Sequence, residues 1–316
     1  MKSAPKVVAL GGGHGLAATL TALRSVTDQI TAVVTVADNG GSSGRLREEF
    51  PIMPPGDLRM ALAALCGDDA WGRDWADIMQ YRFTSEGPMN GHALGNLLLA
   101  ALWDRDEDVV IGLDRVAALL KVVGRVLPMT AEPLTIEATF ENNGELVEAN
   151  GQVAVATTPG RLQELRMTPS NPSTREEVLS AIEEADWITM GPGSWFSSVL
   201  PHLLVPTLRT SLSQSPAKKI LLLNLDANPD QKAAGEYAGY SPLEHCEILK
   251  QYAPELHFDL VIGDISLTGR QELKEYLARE QIRYYEADLR DSRVGIHHDG
   301  GKLASTFAHI AQEMLV

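Results

Sequence analysis

Three glycine-rich turns, each closing a short apolar run, constrain this chain more than anything else in it. Lys6 to Leu10 reads as a buried strand and ends in Gly11-Gly12-Gly13-His14-Gly15-Leu16. Ile30 to Ala37 reads as a second strand and ends in Asp38-Asn39-Gly40-Gly41-Ser42-Ser43-Gly44-Arg45-Leu46-Arg47. Asp186 to Met190 ends in Gly191-Pro192-Gly193-Ser194, with a helix expected from about Phe196. Glycine lets a backbone curl so that successive N–H groups point one way, and such a row at a helix start attracts anions. Any one of these turns is also what an ordinary strand-to-helix connection looks like. In an open parallel sheet, however, strand ends share one edge, and three such turns would then converge there.

The intervening pattern supports that sheet. Ala17 to Ser25 carries Leu16, Leu20 and Leu23 on one helical face, so the first unit is βαβ. Gly56-Asp57 opens a helix behind Pro54-Pro55 and runs to about Cys66. Asn90-Gly91-His92-Ala93-Leu94-Gly95-Asn96 leads into an apolar helix, with His92 and Asn96 four apart on one face. Asp108 to Val123 reads as a further helix. The period then changes: Leu134 to Glu141, Glu145 to Glu148, Gly151 to Ala156 and Arg161 to Met167 read as antiparallel strands, with a turn at Asn142-Asn143-Gly144. Further strands are expected at Ile220 to Leu223, followed by Asn224, at Phe258 to Ile262, and at Ile282 to Glu286. Thr306 to Leu315 closes the chain as a helix. The expected fold is α/β. It is a Rossmann-like, mostly parallel sheet of five or six strands flanked by helices, forming one domain over 1–316 with a small antiparallel β insertion at 130–170.

Composition limits what the edge can bind. The 316 residues carry 27 basic and 42 acidic side chains, a net charge of −15, which argues against nucleic acid and anionic membrane surfaces. An anion site must therefore be local, built from backbone N–H groups and a few arginines such as Arg45, Arg47 and Arg59. The two cysteines, Cys66 and Cys246, imply no disulfide framework, and no signal-peptide architecture is seen; a cytoplasmic protein without membrane insertion is expected. The first turn lacks the third glycine of G-x-G-x-x-G, so no nicotinamide or flavin cofactor is expected. No Walker loop is present, and Gly191-Pro192-Gly193-Ser194 is not a G-x-S-x-G elbow, because its serine lies at the wrong offset. Asp38, Asp57 and Asp264 are hard oxygen ligands able to hold Mg²⁺ with substrate phosphates; acids at strand ends also cap helices or bind hydroxyls. His297-His298-Asp299 is a poor metal motif, since neighbours on a strand face opposite ways.

The ordered set GGGHGL, TVADNGGSSGRLR, PPGDLR, GHALGNLLL and GPGSWFSSVLPHLL resembles the YvcK-like gluconeogenesis factors. These form a branch of the superfamily that includes 2-phospho-L-lactate transferase (CofD). The resemblance spans nearly the whole chain. It implies a nucleotide-diphosphate-linked ligand. For the gluconeogenesis factors, it implies binding of UDP-sugars such as UDP-N-acetylglucosamine and a role in cell shape and cell-wall synthesis on gluconeogenic carbon sources. Cell-wall synthesis proteins are the implied partners; a homo-oligomer is left open. For the transferase branch, it implies Mg²⁺-dependent transfer of phospholactate from a guanosine-diphosphate-linked donor to a deazaflavin.

The resemblance carries residue by residue onto Gly11, Gly13, Gly15, Asp38, Gly56, Asp57, Arg59, His92, Gly95, Asn96, Gly191, Pro192, Gly193 and Ser194. His14 stands where Thr or Ser is usual. Asn39 replaces the second acid of a frequent Asp-Asp pair and lowers the charge at the tentative metal ligand Asp38. Tyr237 follows Gly235-Glu236 where Thr is common. The candidate nucleotide and phosphate site thus comprises Gly11 to Gly15, Asp38 to Ser43, Arg45, Asp57, Arg59, His92, Asn96 and Gly191 to Ser194.

Overall fold

The computed structural model describes residues 4–106, 108–225, 240–292 and 297–313. Its main sheet has seven strands: β1 (Val7–Gly11), β2 (Ile30–Val34), β3 (Arg125–Pro128), β7 (Trp187–Met190), β8 (Lys218–Leu222), β9 (Leu260–Asp264) and β10 (Arg283–Ala287). A second sheet holds β4 (Thr135–Asn142), β5 (Glu145–Asn150) and β6 (Arg161–Thr168) in the order β5-β4-β6, with antiparallel pairing. In the main sheet the order is β10-β9-β8-β7-β1-β2-β3 and every pairing is parallel.

Burial explains the strand sequences. All five residues of β1 and all four of β7 are buried, as continuous apolar runs covered by helices on both faces must be. From β1 the chain moves outward to β2 and β3, then returns to place β7 on the other side of β1. The direction of winding therefore reverses between β1 and β7, and the crevice beyond their carboxyl ends is where ligands bind in such sheets.

Three elements differ from the sequence expectation. The sheet has seven strands because β3, only four residues long, follows the helix Val109–Leu120 too closely to be read separately. Gly151 to Ala156 is not a strand. Gly151 takes φ +85°, ending β5, and Gln152–Thr157 is helical with Val155 fully buried. A short apolar run does not by itself separate strand from helix. The closing helix starts earlier, at Gly300. The hairpin turn is as expected: Asn143 and Gly144, at φ 54° and 87°, join β4 to β5.

Between β2 and β3 the described residues of the crossover form five helices, Gly41–Glu49, Pro55–Ala64, Ala70–Gln80, Leu94–Asp106 and Val109–Leu120. One of these, Pro55–Ala64, brings Asp57 to the sheet edge. After β7 the chain forms a π-helical turn, Trp195–Val199, whose Trp195 and Phe196 are fully buried. Phe196 meets Phe140 of β4 with ring centroids 6.0 Å apart, which ties the small sheet to the main one.

Candidate functional site

A cavity of about 610 Å³ opens at the carboxyl edge of β1, β2, β7 and β8. Its floor is the turn after β1. Gly12 precedes the helix Gly13–Leu23 in extended conformation, with no side-chain cap on the helix. Gly13 and Gly15 line the cavity with His14. Gly15 is required here by close approach: a Cβ would collide with the carbonyl oxygen of Pro192. The turns after β1 and β7 therefore touch through backbone alone.

The opposite wall is the turn after β7. Pro192, Gly193 and Ser194 line it, with Ser197 and Ser198 from the π-helical turn. Asn224, just after β8, grips Gly193 from both sides: the Gly193 N–H donates to Asn224 Oδ1 at 2.8 Å, and Asn224 Nδ2 donates to the Gly193 carbonyl at 2.8 Å. The Thr19 hydroxyl donates to the Gly191 carbonyl at 3.2 Å. These bonds hold the turn open without using the hydroxyls of Ser198 or the exposed backbone of the first turn.

Two carboxylates stand in the cavity wall. Asp38 follows β2, and its Oδ1 accepts the Gly40 N–H at 2.9 Å. Asp57, in the first turn of Pro55–Ala64, reaches across to Gly12, whose hypothetical Cβ its Oδ2 would strike. Burial, and then the charge of Asp38, raise the Asp57 pKa to about 7, although the Gly13 N–H and Arg59 oppose the shift. A carboxyl whose proton affinity is raised by burial and a neighbouring acid is relieved by a cation, and Mg²⁺ takes one or two carboxylates plus phosphate oxygens. The donor set fits that ion. Asp264 does not contribute: one oxygen accepts from Ser266 and the other from the Leu289 N–H at 2.6 Å, so it ties the loop after β9 to the chain beyond β10. Among the described residues no cluster of three or more acidic, His or Cys side chains is placed to hold a metal.

On the far rim, the rings of His14 and His297 face one another 5.9 Å apart, and His298 lies beside them. Burial, His297, Arg59 and Arg82 together lower the His14 pKa. The cavity is thus acidic at the β2 side and carries imidazoles at its mouth.

The structure brings together Gly12, Gly13, His14, Gly15, Asp38, Asp57, Pro192, Gly193 and Ser194 from the expected site. It gives the others different surroundings. Gly11 turns toward Leu16, and Gly191 packs on the Leu222 carbonyl. Gly40 and Gly41 form the start of the helix Gly41–Glu49. Ser42 and Ser43 are buried, where a phosphate-facing position was expected. Ser42 Oγ lies 3.0 Å from His92 Nδ1 and receives Asn96 Nδ2 at 3.0 Å; Arg59 Nε donates to Asn96 Oδ1 at 2.8 Å. Ser43 Oγ accepts the Gly56 N–H. His92 and Asn96 therefore satisfy a buried polar network, as buried polar groups must. Arg59 is 2% exposed, and burial, then Arg82, draw its pKa down to about 10. Arg45 donates to the carbonyls of Pro88 and Asn90, and Arg47 to that of Asp38.

Asn39 is turned away from the acid pair. Its Oδ1 accepts the Val153 N–H at 3.2 Å, and its Nδ2 lies against Gly151. The second carboxylate beside Asp38 comes from Asp57, so the charge at position 39 does not report on the acid pair. Gly235 to Tyr237 lie outside the described residues.

The expected set lacked Thr35, Gln152, Ser197, Ser198, Asn224 and Leu225, all of which line the cavity. Asn224 carried a usable signal, a polar residue directly after an apolar strand. Gln152 carried only the Gly151 before it. No helix among the described residues is long and apolar enough to cross a membrane.

Known proteins share this arrangement of chain. Residues 7–300 match the family model described as 2-phospho-L-lactate transferase CofD. A Mycobacterium tuberculosis H37Rv protein named "Putative gluconeogenesis factor" is 46% identical over 312 residues, covering 95% of this chain and 88% of that one. The gluconeogenesis factor of Bacillus subtilis strain 168 is 34% identical, covering 99% of this chain and 100% of its own. A crystal structure of a UPF0052 family protein from Bacillus halodurans has a TM-score of 0.84 at 30% identity, over 98% of this chain and 99% of that one. The chain belongs to the CofD family and stands in it with the gluconeogenesis factors.

Proposed function

We propose that this protein is a nucleotide-diphosphate-sugar-binding regulator, with a UDP-sugar such as UDP-N-acetylglucosamine as ligand. The observation that carries this reading is the meeting of the turns after β1 and β7 in one cavity, backbone against backbone, at the reversal point of the sheet. The diphosphate would lie on Gly13 to Gly15 and Gly193 to Ser194, which line the cavity at the start of the helix Gly13–Leu23 and beside Ser197 and Ser198. Asp38 and Asp57 would hold Mg²⁺ against the same phosphates, and the ion would neutralise charge there. The kinship to gluconeogenesis factors supports a regulatory role, with control of cell shape and cell-wall synthesis on gluconeogenic carbon sources as the biological setting. A cytoplasmic site of action accords with that role.

Titration calorimetry with UDP-N-acetylglucosamine and Mg²⁺ tests the reading. Binding is expected, and it weakens at least tenfold in Asp38→Ala and Gly193→Val. Absence of binding to every UDP-sugar tried removes it.

The acid pair favours a second reading, the 2-phospho-L-lactate transferase activity named in the matching family, which we read as transfer of phospholactate from a guanosine-diphosphate-linked donor to a deazaflavin. Mg²⁺ held by Asp38 and Asp57 would polarise the phosphate between nucleotide and transferred group. Among the described residues, no side chain in the cavity is placed as an evident nucleophile, which is why regulation is the first reading. Release of GMP from that donor, dependent on deazaflavin and Mg²⁺, would reverse the order.

A further inference from the structure

We infer that the antiparallel insertion supplies a recognition subsite to the cavity. In it, the side-chain amide of Gln152 reads a neutral, planar ligand group that carries an N–H donor beside a carbonyl acceptor. The inference rests on the nucleotide-diphosphate reading of the cavity.

The main sheet provides what any diphosphate needs, and little that distinguishes one nucleotide from another. The insertion is different. Gly151, at φ +85°, turns the chain out of β5, and its N–H donates to the Ile136 carbonyl of β4 at 2.8 Å. The following helical turn is pinned twice. Val155 is fully buried beneath it, and the Val153 N–H donates to Asn39 Oδ1. Gly151 lies so close to Asn39 Nδ2 that a Cβ there would collide with it. Between these fixed points Gln152 lines the cavity. Its Oε1 is placed 3.6 Å from where a Cβ on Gly40 would stand, beside Asp38. Among the described residues, no hydrogen bond occupies its amide.

A glutamine amide offers donor and acceptor side by side. Its natural complement is the imide or lactam edge of a nucleobase, whose N–H and C=O lie side by side; the trans acetamido group of a sugar turns them to opposite sides and would meet the amide through one of them. Gln152 does not belong to the turns after β1 and β7, which would take the diphosphate; it lines the cavity beside the turn after β2 and so faces the part of the ligand beyond the phosphates. Asn39 acts through Gln152 as a positioning residue: it sets the first turn of the insertion helix and touches no ligand. This gives Asn39 a purpose other than charge.

Calorimetry with inorganic pyrophosphate, UDP, UDP-glucose, UDP-N-acetylglucosamine and GDP, each with Mg²⁺, tests the inference on wild type, Gln152→Met, Gln152→Glu and Asn39→Ala. Met keeps the length of the side chain and loses both polar atoms. Because the Gln152 amide bonds to nothing in the described structure, melting temperatures of the Gln152 variants are expected within about 2 °C of wild type. The Met variant should bind pyrophosphate within twofold of wild type and lose at least tenfold for nucleotides. Equal loss for UDP and UDP-N-acetylglucosamine assigns the base; loss confined to UDP-N-acetylglucosamine assigns the acetamido group. Asn39→Ala should reproduce the loss of nucleotide over pyrophosphate selectivity, and Asn39→Asp, which keeps the acceptor for Val153, should restore it. Wild-type binding that is unchanged for every ligand in both Gln152 variants overturns the inference while leaving the cavity reading intact. Failure of wild type to bind any nucleotide overturns both.

Discussion

The turns after β1 and β7 and the turn after β2 draw on the same few residue types, glycine, serine and an occasional cation, yet they do opposite things. After β1 and β7 the backbone faces an open cavity, and the side chains that steady it, Asn224 and Thr19, come from elsewhere. After β2 the loop's own side chains are used up inward. Ser42 joins His92 and Asn96, Ser43 holds Gly56, and Arg45 clasps the 88–90 segment. A glycine-rich turn lines a cavity when groups from other elements hold its backbone, as Asn224 and Thr19 hold the turn after β7. It becomes structural when its hydroxyls and cations are already bonded. Beyond β2, Thr35 and Asp38 escape this inward turn and reach the cavity.

Breaking the contact between the two open turns should have the largest effect. Gly15→Ala sets a methyl against the Pro192 carbonyl, a backbone group that cannot rotate away. Overpacking of this kind costs about 3 kcal/mol, and the cradle would be forced apart. Denaturant unfolding should show that loss, with no measurable nucleotide binding. Normal affinity in Gly15→Ala would mean that the two turns do not act as one site. Next comes Ser42→Ala in the closed turn. It strands Asn96 Nδ2 and a His92 nitrogen in a buried place, at about 2 kcal/mol. Here the comparison predicts dissociation of effects: stability falls while ligand affinity moves less than about threefold.

How much of this was legible beforehand depends on the range of the forces involved. The strand β1 and the hairpin at Asn143 and Gly144 were readable because burial and turn geometry act over a few residues. The convergence of the turns after β1 and β7 was readable because parallel topology forces strand ends to one edge. The direction of a single side chain was not. Asn39 is fixed by Val153, 114 residues later, and Arg59 by Asn96, 37 residues later. His92 and Asn96 share a helical face as expected, yet whether that face meets ligand or Ser42 is decided by how the helices pack. Gln152 was missed for the same reason: its role requires a helix where alternation of valine and alanine suggested a strand.

Asp57 sits between the two kinds of loop, one residue from Gly56 on the closed side and bonded to Gly13 on the open side. Its pKa of about 7 lies above the ordinary 3.8. The folded state therefore holds a proton that the unfolded state has lost. Stability from this group is full below about pH 4 and declines as pH rises toward 7, staying low above that. Asp57→Asn should remove this slope and raise stability at pH 8 by about 1–2 kcal/mol, after allowance for the partial exposure of the carboxylate. Melting curves of both proteins at pH 5.5 and 8 measure the difference between the slopes. Mg²⁺ affinity of the wild type should rise as pH climbs to about 7 and then level off, because the ion competes with that proton. A flat profile would detach Asp57 from the metal.

The smallest effect belongs to Arg45, and it is the sharpest test of the contrast. As a cation in a glycine-serine loop it is the natural anion ligand by sequence, yet its guanidinium is spent on the carbonyls of Pro88 and Asn90 at 3.0 and 2.9 Å. These bonds are exposed, so Arg45→Ala should cost about 0.5–1 kcal/mol. If the closed turn is structural, nucleotide affinity stays within about twofold and its salt dependence is unchanged, because the lost charge never faced the phosphates. If affinity instead falls tenfold and becomes less sensitive to salt, Arg45 must swing from its carbonyls to the ligand. The turn after β2 would then be a third cradle that opens only when occupied, and the distinction between open and stitched loops would fail at its clearest point.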